Sequence, residues 1–260
     1  MNADDLEPPP SEQLIILRPA GPDRWAHRRG EPRLMAFCWT LFLLGATALL
    51  FVGMIRLGFR EAYLQAASGL LGTVAAGAVL LWPTLRLSQA PPRRVLASVG
   101  LDVIVVWGPL LAVIWPQAVL AGWGWDVPAA LSALMLGWVL LNGAWIAAVI
   151  GAGVPRWIGT LGVMVLNCGG PVLGLLSVGL VSGSTSGAAP FERSSWMMTS
   201  ALTGVFRVSM APPWPGGGGR VEAWEWQAIG LTWGVSVVGW MLAAWIGGSR
   251  KALAAGTDAA

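Results

Sequence analysis

"AALSALMLGWVLLNGAWIAAVI", residues 129–150, runs for twenty-two residues without a charged side chain. At a rise of about 1.5 Å per residue, a helix of that length crosses a hydrocarbon core about 30 Å thick. Any open, non-helical backbone would leave N–H and C=O groups unpaired in lipid. A barrel strand would be shorter and would alternate polar with apolar residues. The stretch therefore reads as a transmembrane helix.

Five further runs read the same way, at 34–55, 63–85, 95–116, 157–181 and 226–247. The expected fold is an all-α, polytopic bundle of six transmembrane helices. Composition agrees: 55% of the chain is hydrophobic and only 11% is charged, against about 25% charged in a soluble domain. The acidic, Pro-rich opening MNADDLEPPPSE is not expected to be a signal peptide, since it has the wrong charge and the first apolar run is long enough to span.

An even number of spans puts both termini on one side. With the termini in the cytoplasm, the inner segments carry Arg18, Arg24, Arg28, Arg29, Arg33, Arg86, Arg93, Arg94, Arg156, Arg250 and Lys251. The outer segments carry Arg56, Arg60, Arg193, Arg207 and Arg220, a split of 11 to 5. The positive-inside rule therefore selects N-in, C-in, and the cytoplasmic (inner) membrane of a cell as the location. Residues 24–34, RWAHRRGEPRL, hold four arginines and the one histidine, His27. Arg24, Arg28, Arg29 and Arg33, with Arg93 and Arg94, are expected to set topology and to touch headgroups, each gaining about 1 kcal/mol near an anionic leaflet. The patch is too short, and has too little around it, to read nucleic acid.

The chain then divides into a cytoplasmic, largely disordered tail (1–33), helices one to five (34–181), a long extracytoplasmic loop (182–225), the sixth helix (226–247) and a cytoplasmic end (248–260). Within the loop, Trp196, Leu202, Val205 and Phe206 recur at roughly helical spacing. Two readings stand equally: a helix lying on the outer leaflet over 195–210, or a loop packing its apolar residues on the bundle. Of the seventeen tryptophans, Trp39, Trp82, Trp157 and Trp245 fall near inner span ends, and Trp115, Trp123, Trp125, Trp224 and Trp226 near outer ones. These read as interface belts. Trp107, Trp138, Trp233 and Trp240 lie deeper and read as packing.

Several chemistries find no residues. One histidine, outside the spans, excludes a bis-histidine haem within this chain and an intramembrane Ser–His pair. Cys38 and Cys168 both lie in apolar runs and support neither a disulfide framework nor a metal site. HExxH and GxxxxGK[ST] are absent, and residues 183–187, GSTSG, place Thr where a nucleophile elbow has Ser. No metal, cofactor or catalytic residue is expected.

The polar residues within the spans are few. Asp102 is the carboxylate deepest in a span, and Asn142 and Asn167 are amides in two others. Counted from the inner ends they lie roughly 10, 13 and 15 Å deep at about 1.5 Å per residue, so the expectation is one polar cluster of three. Asp102 is either functional or held by an arginine of a cytoplasmic loop. Pro109 and Pro171 are expected to kink their helices. Gly170 with Gly174, and Gly230 with Gly234, form GxxxG pairs that permit close helix approach.

Six spans, both termini inside and a long apolar outer loop before the sixth span resemble, in outline, the membrane subunit of an ABC-2-type exporter. That resemblance implies a permease-like role with a separate ATPase as partner. Such permeases carry a cytoplasmic helix between the second and third spans, where this chain has only RLSQAPPRR. The other expectation is a structural or assembly subunit of a larger membrane complex. On either reading the chain is a non-catalytic integral membrane protein whose partners are the lipid bilayer and other membrane subunits or an ATPase, and not nucleic acid.

Overall fold

The computed structural model describes residues 32–55, 60–92, 94–181, 195–210 and 221–257. The expectations for the tail, including Arg24, Arg28 and Arg29, and that for Arg93, lie outside the described residues. Every regular element among the described residues is helical: α1 (Pro32–Ile55), α2 (Arg60–Ala76), a π turn (Gly77–Leu81), α3 (Trp82–Ser88), α4 (Val95–Ala121), α5 (Asp126–Ala152), α6 (Arg156–Val181), a 3-10 turn (Ser195–Thr199), α7 (Ala201–Ser209) and α8 (Ala223–Thr257). Four helical stretches are long and apolar enough to cross a membrane: Tyr63–Ser88, Val95–Ala121, Asp126–Ala152 and Ala223–Ser249. In α1 the apolar stretch is shorter, Met35–Leu50.

Local chemistry sets the boundaries. Both α4 and α5 stop at a glycine in the left-handed region, Gly122 (φ 67°) and Gly153 (φ 60°). A side chain is strained there, and the turned-back amides of Gly122 and Gly153 bond to Ala118 O and to Ile150 O and Val149 O. Helix α4 runs on through Pro116, past the expected end of that span. The break in the second long helix precedes Pro83. Proline lacks the amide that the preceding turn would use, and the helix widens into the π turn, where Trp82 N–H bonds to Gly77 O. Gly77 lies under the stacked rings of Trp39 and Phe42 from α1, and a Cβ there would stand 2.7 Å from Phe42.

Helix α5 is the hub. It packs antiparallel to α4, with the Trp107 indole donating to Ser132 O (3.2 Å), and antiparallel to α6, with the Trp145 indole donating to Gly159 O (3.0 Å). Against α8 it runs parallel. Trp233 Nε1 donates to Ala133 O (2.9 Å), Ser236 Oγ to Gly137 O (2.9 Å) and Trp240 Nε1 to Leu140 O (3.0 Å), an ascending register that fixes both direction and rotation. The backbones come close because the seam is small-residued. A Cβ on Gly137 would stand 2.9 Å from Trp233, one on Gly143 3.1 Å from Trp240, and one on Gly239 3.0 Å from Ala144. Gly230 and Gly234 are not in this seam: nothing lies within 4 Å of where their Cβ atoms would be.

The 195–210 segment is a 3-10 turn followed by helix α7, and it packs inside the bundle. Ala201, Gly204, Val205, Val208 and Ser209 are buried. Phe206 fits over Gly72 of α2, and Ser209 Oγ donates to Ser68 Oγ at 2.9 Å. Since residue 206 meets 72 while 209 meets 68, α7 runs antiparallel to α2, filling one half of the space between α2, α5 and α6.

Gly137→Ala is expected to lower stability by about 1–3 kcal/mol, because the rigid Trp233 ring has to shift. Gly234→Ala, facing open space, is expected to be near neutral. Unfolding of the two variants in detergent micelles makes the comparison, and equal losses would contradict this account of the α5–α8 seam.

Candidate functional site

Three buried polar groupings lie along the bundle. The central one is built on α5 and α6. Asn142 Nδ2 donates to Asn167 Oδ1 (3.2 Å) and Asn167 Nδ2 donates to Asn142 Oδ1 (2.9 Å). Each amide also donates to the carbonyl one turn back, Trp138 O and Val163 O. Both side chains are fully buried. The pair is neutral and self-complementary: each side-chain oxygen accepts from the other amide, and all four N–H bonds are directed at protein acceptors.

Pro171 completes this centre from the α6 side. As a proline it has no amide to offer Asn167 O, the carbonyl four residues earlier. Ser200 Oγ supplies the missing proton at 2.6 Å, while accepting from Leu202 N (3.1 Å) as the N-cap of α7. Beside it Thr199 packs directly against Gly170, leaving no room for a Cβ there. The stretch Asn167–Pro171 is thus the seat on which the 3-10 turn and the start of α7 dock. For Gly174 the structure describes the backbone alone.

Asp102 bonds elsewhere. Its carboxylate meets Arg86 Nε at 2.8 Å, with both side chains almost fully buried. Arg86 Nη1 donates to Gln89 Oε1 (2.9 Å) and Nη2 to Ser98 Oγ. This grouping lies at the end of the bundle where the α3–α4 and α5–α6 connections sit, and Arg156 Nη1 donates to Ser88 O beside it (3.2 Å). Of the three residues expected in one cluster, the structure brings two together and gives the third an arginine from the last turn of α3. Arg33 falls in the first turn of α1, and Arg94 is exposed at the start of α4.

The third grouping is at the opposite end. Glu225, buried in the first turn of α8, pairs with Arg207 Nε at 3.0 Å and accepts from Glu222 N (2.9 Å), half of a capping box. Asp126 accepts from Val221 N at 2.8 Å, which fastens α8 to the start of α5. Tyr63 donates to Gln117 nearer this end.

The Ser200, Gln117 and Glu225 contacts were not read from the sequence. A signal for one was present: Asn167 and Pro171, four apart, announce a carbonyl that needs a donor from elsewhere. Pro109 likewise frees a carbonyl in α4, that of Val105, next to Val106 whose O accepts from the Trp39 indole at 2.8 Å.

Chemically, these groupings hold one another. The interior cavity between α2, α4, α5 and α7 is about 10 Å³, lined by apolar side chains such as Leu71, Leu110, Leu131 and Val205, and lacks the polar partners that a water needs. No family model matches the chain, and neither does any curated protein or solved structure.

Ser200→Ala is expected to cost about 2 kcal/mol, through an unpaired buried carbonyl and a lost cap. In a Pro171→Ala background, where the substituted residue donates its own amide to Asn167 O, the same change is expected to cost about half as much. Detergent-micelle unfolding of the four proteins reads the cycle; equal costs in both backgrounds would refute the pairing of Ser200 with Pro171.

Proposed function

We propose that the chain is a non-catalytic, multi-pass subunit of a larger membrane protein complex, with a structural or assembly role. What carries this reading is that the amide pair, the Arg86–Asp102 ion pair and the Ser200 hydroxyl find their partners within the protein. The amides of Asn142 and Asn167, the charges of Arg86 and Asp102 and the hydroxyl of Ser200 are all directed at protein partners. A transport pathway needs polar groups turned to a lumen, and a catalyst needs an acid, base or nucleophile in reach of substrate. The packing instead favours a rigid body whose outer faces do the work.

The proposed arrangement is six crossings of the cytoplasmic membrane with both termini inside. Helices α1 and α6, of 24 and 26 residues, are long enough to add to the four apolar stretches already described. The parallel course of α5 and α8 supports this, because α6 must return the chain and the 195–210 segment must enter and leave on one side. The charge split of 11 to 5 gives the orientation.

A permease-like role with a separate ATPase is the weaker reading. The segment between α3 and α4 is only residues 89–94, which gives an ATPase no helix to grip there.

A reporter active only outside the cytoplasm, fused after Lys251, is expected to be silent, and the same reporter inserted at 214–219 to be active; the reverse pattern would overturn the topology. Purified in mild detergent and weighed by native mass spectrometry, the protein is expected to carry other polypeptides in fixed ratio. A lone, stable monomer that moves a solute across proteoliposomes would overturn the subunit reading.

A further inference from the structure

Beside the Arg86–Asp102 pair, the first turn of α4, the last turns of α5 and the later part of α8 leave a groove of about 540 Å³ between them. Its walls are small or apolar, with Leu96 on α4, Ala147 and Gly151 on α5, and Ala244 and Gly247 on α8. The seam closes at its floor, where a Cβ on Gly151 would stand 3.9 Å from the Gly247 backbone. The one charged side chain in the lining is Arg94.

Arg94 differs from the other described arginines in this part of the bundle. Arg86 is buried in its ion pair and Arg156 donates to Ser88 O. Arg94 is exposed, and it forms no ion pair among the described residues. In sequence Arg93 precedes it, and Arg250 and Lys251 follow directly on the α8 residues that line the groove. An apolar slot with an unpaired guanidinium in its lining complements an amphiphile with a negative head.

We propose that this groove binds an anionic phospholipid, with the phosphate at Arg94 and an acyl chain laid between α5 and α8 over Gly151 and Gly247. The volume suits a small-molecule site. A polar ligand would find one charged contact and an apolar wall. The apolar helix of another protein would fill the slot and leave Arg94 without a counter-charge. The inference requires only that the chain lies in a membrane, and it holds whichever protein partners the chain has.

The full chain, purified in mild detergent, is incubated with phosphatidylglycerol or with phosphatidylcholine of the same acyl chains, and bound lipid is counted by native mass spectrometry. Phosphatidylglycerol is expected to be retained about fivefold better, the share of one arginine beside an anionic head. Arg94→Gln is expected to remove that preference, and Arg94→Lys to keep it. Ala244→Phe, which fills the slot from an exposed position, is expected to reduce retention of both lipids. Equal retention of the two lipids by the unaltered chain, a preference that survives Arg94→Gln, or retention untouched by Ala244→Phe would each overturn the proposal.

Discussion

A carbonyl without its amide is the constraint around which the core is organised. A proline within a helix leaves the carbonyl four residues earlier without its amide, and where that carbonyl is buried a donor from another part of the protein can meet the demand. Pro171 creates that demand at Asn167 O, and Ser200 meets it. The consequence reaches well beyond one bond. To bring Ser200 to that depth, the chain beyond α6 has to dip into the bundle, and the 3-10 turn and α7 follow it. Their apolar residues then fill the space between α2, α5 and α6. A segment whose amphipathic spacing suits an interface becomes interior packing because one of its hydroxyls is needed there.

The same economy of donors explains five of the tryptophans. A carbonyl oxygen has a second lone pair after its helical bond is made. Five indoles use it across helix boundaries, from Trp39, Trp107, Trp145, Trp233 and Trp240. Interhelical hydrogen bonds in membrane proteins average about 0.6 kcal/mol, so five together contribute about 3 kcal/mol. That is modest for the whole bundle. Their larger effect is on register. An indole has its donor at a fixed point on a rigid frame, so Trp233 and Trp240 hold α8 at one rotation on α5. Close packing over Gly137, Gly143 and Gly239 then follows from that rotation.

The helical character of the apolar runs and the carboxylate within one of them were legible in the sequence, because each depends on what the residues are and how they follow one another. Azimuth was not legible. Counting along the spans gives Asp102, Asn142 and Asn167 similar expected depths, yet such a count says nothing about which way a helix is turned. α4 is turned so that Asp102 meets Arg86, a partner near the end of the second long helix, while α5 and α6 turn their amides toward each other. The glycine pairs show the same limit. Gly230 and Gly234 have the spacing of a contact surface, but the α8 face that meets α5 carries Gly239, set by where Trp233 and Trp240 find their acceptors. The π turn was hidden for a related reason: it lies inside the run 63–85, where Trp39 and Phe42 from another helix pack on Gly77.

Charge follows the same logic as the backbone. A buried carboxylate and a buried guanidinium each cost several kcal/mol to desolvate, and attraction between them offsets this only when geometry is good and the remaining donors are satisfied. Arg86 holds Asp102 as an ion pair at Nε, without hydrogen-bond alignment, and donates to Gln89 from Nη1 and to Ser98 from Nη2. The pair ties the end of α3 to the first turns of α4, across a connection that has no helix of its own to stiffen it. At the other end Arg207 and Glu225 tie α7 to the start of α8. Between them the amide pair joins α5 to α6 without charge. Each polar grouping therefore joins elements that the hydrophobic effect would not hold together in lipid, where apolar surface gains nothing by leaving a solvent as apolar as itself.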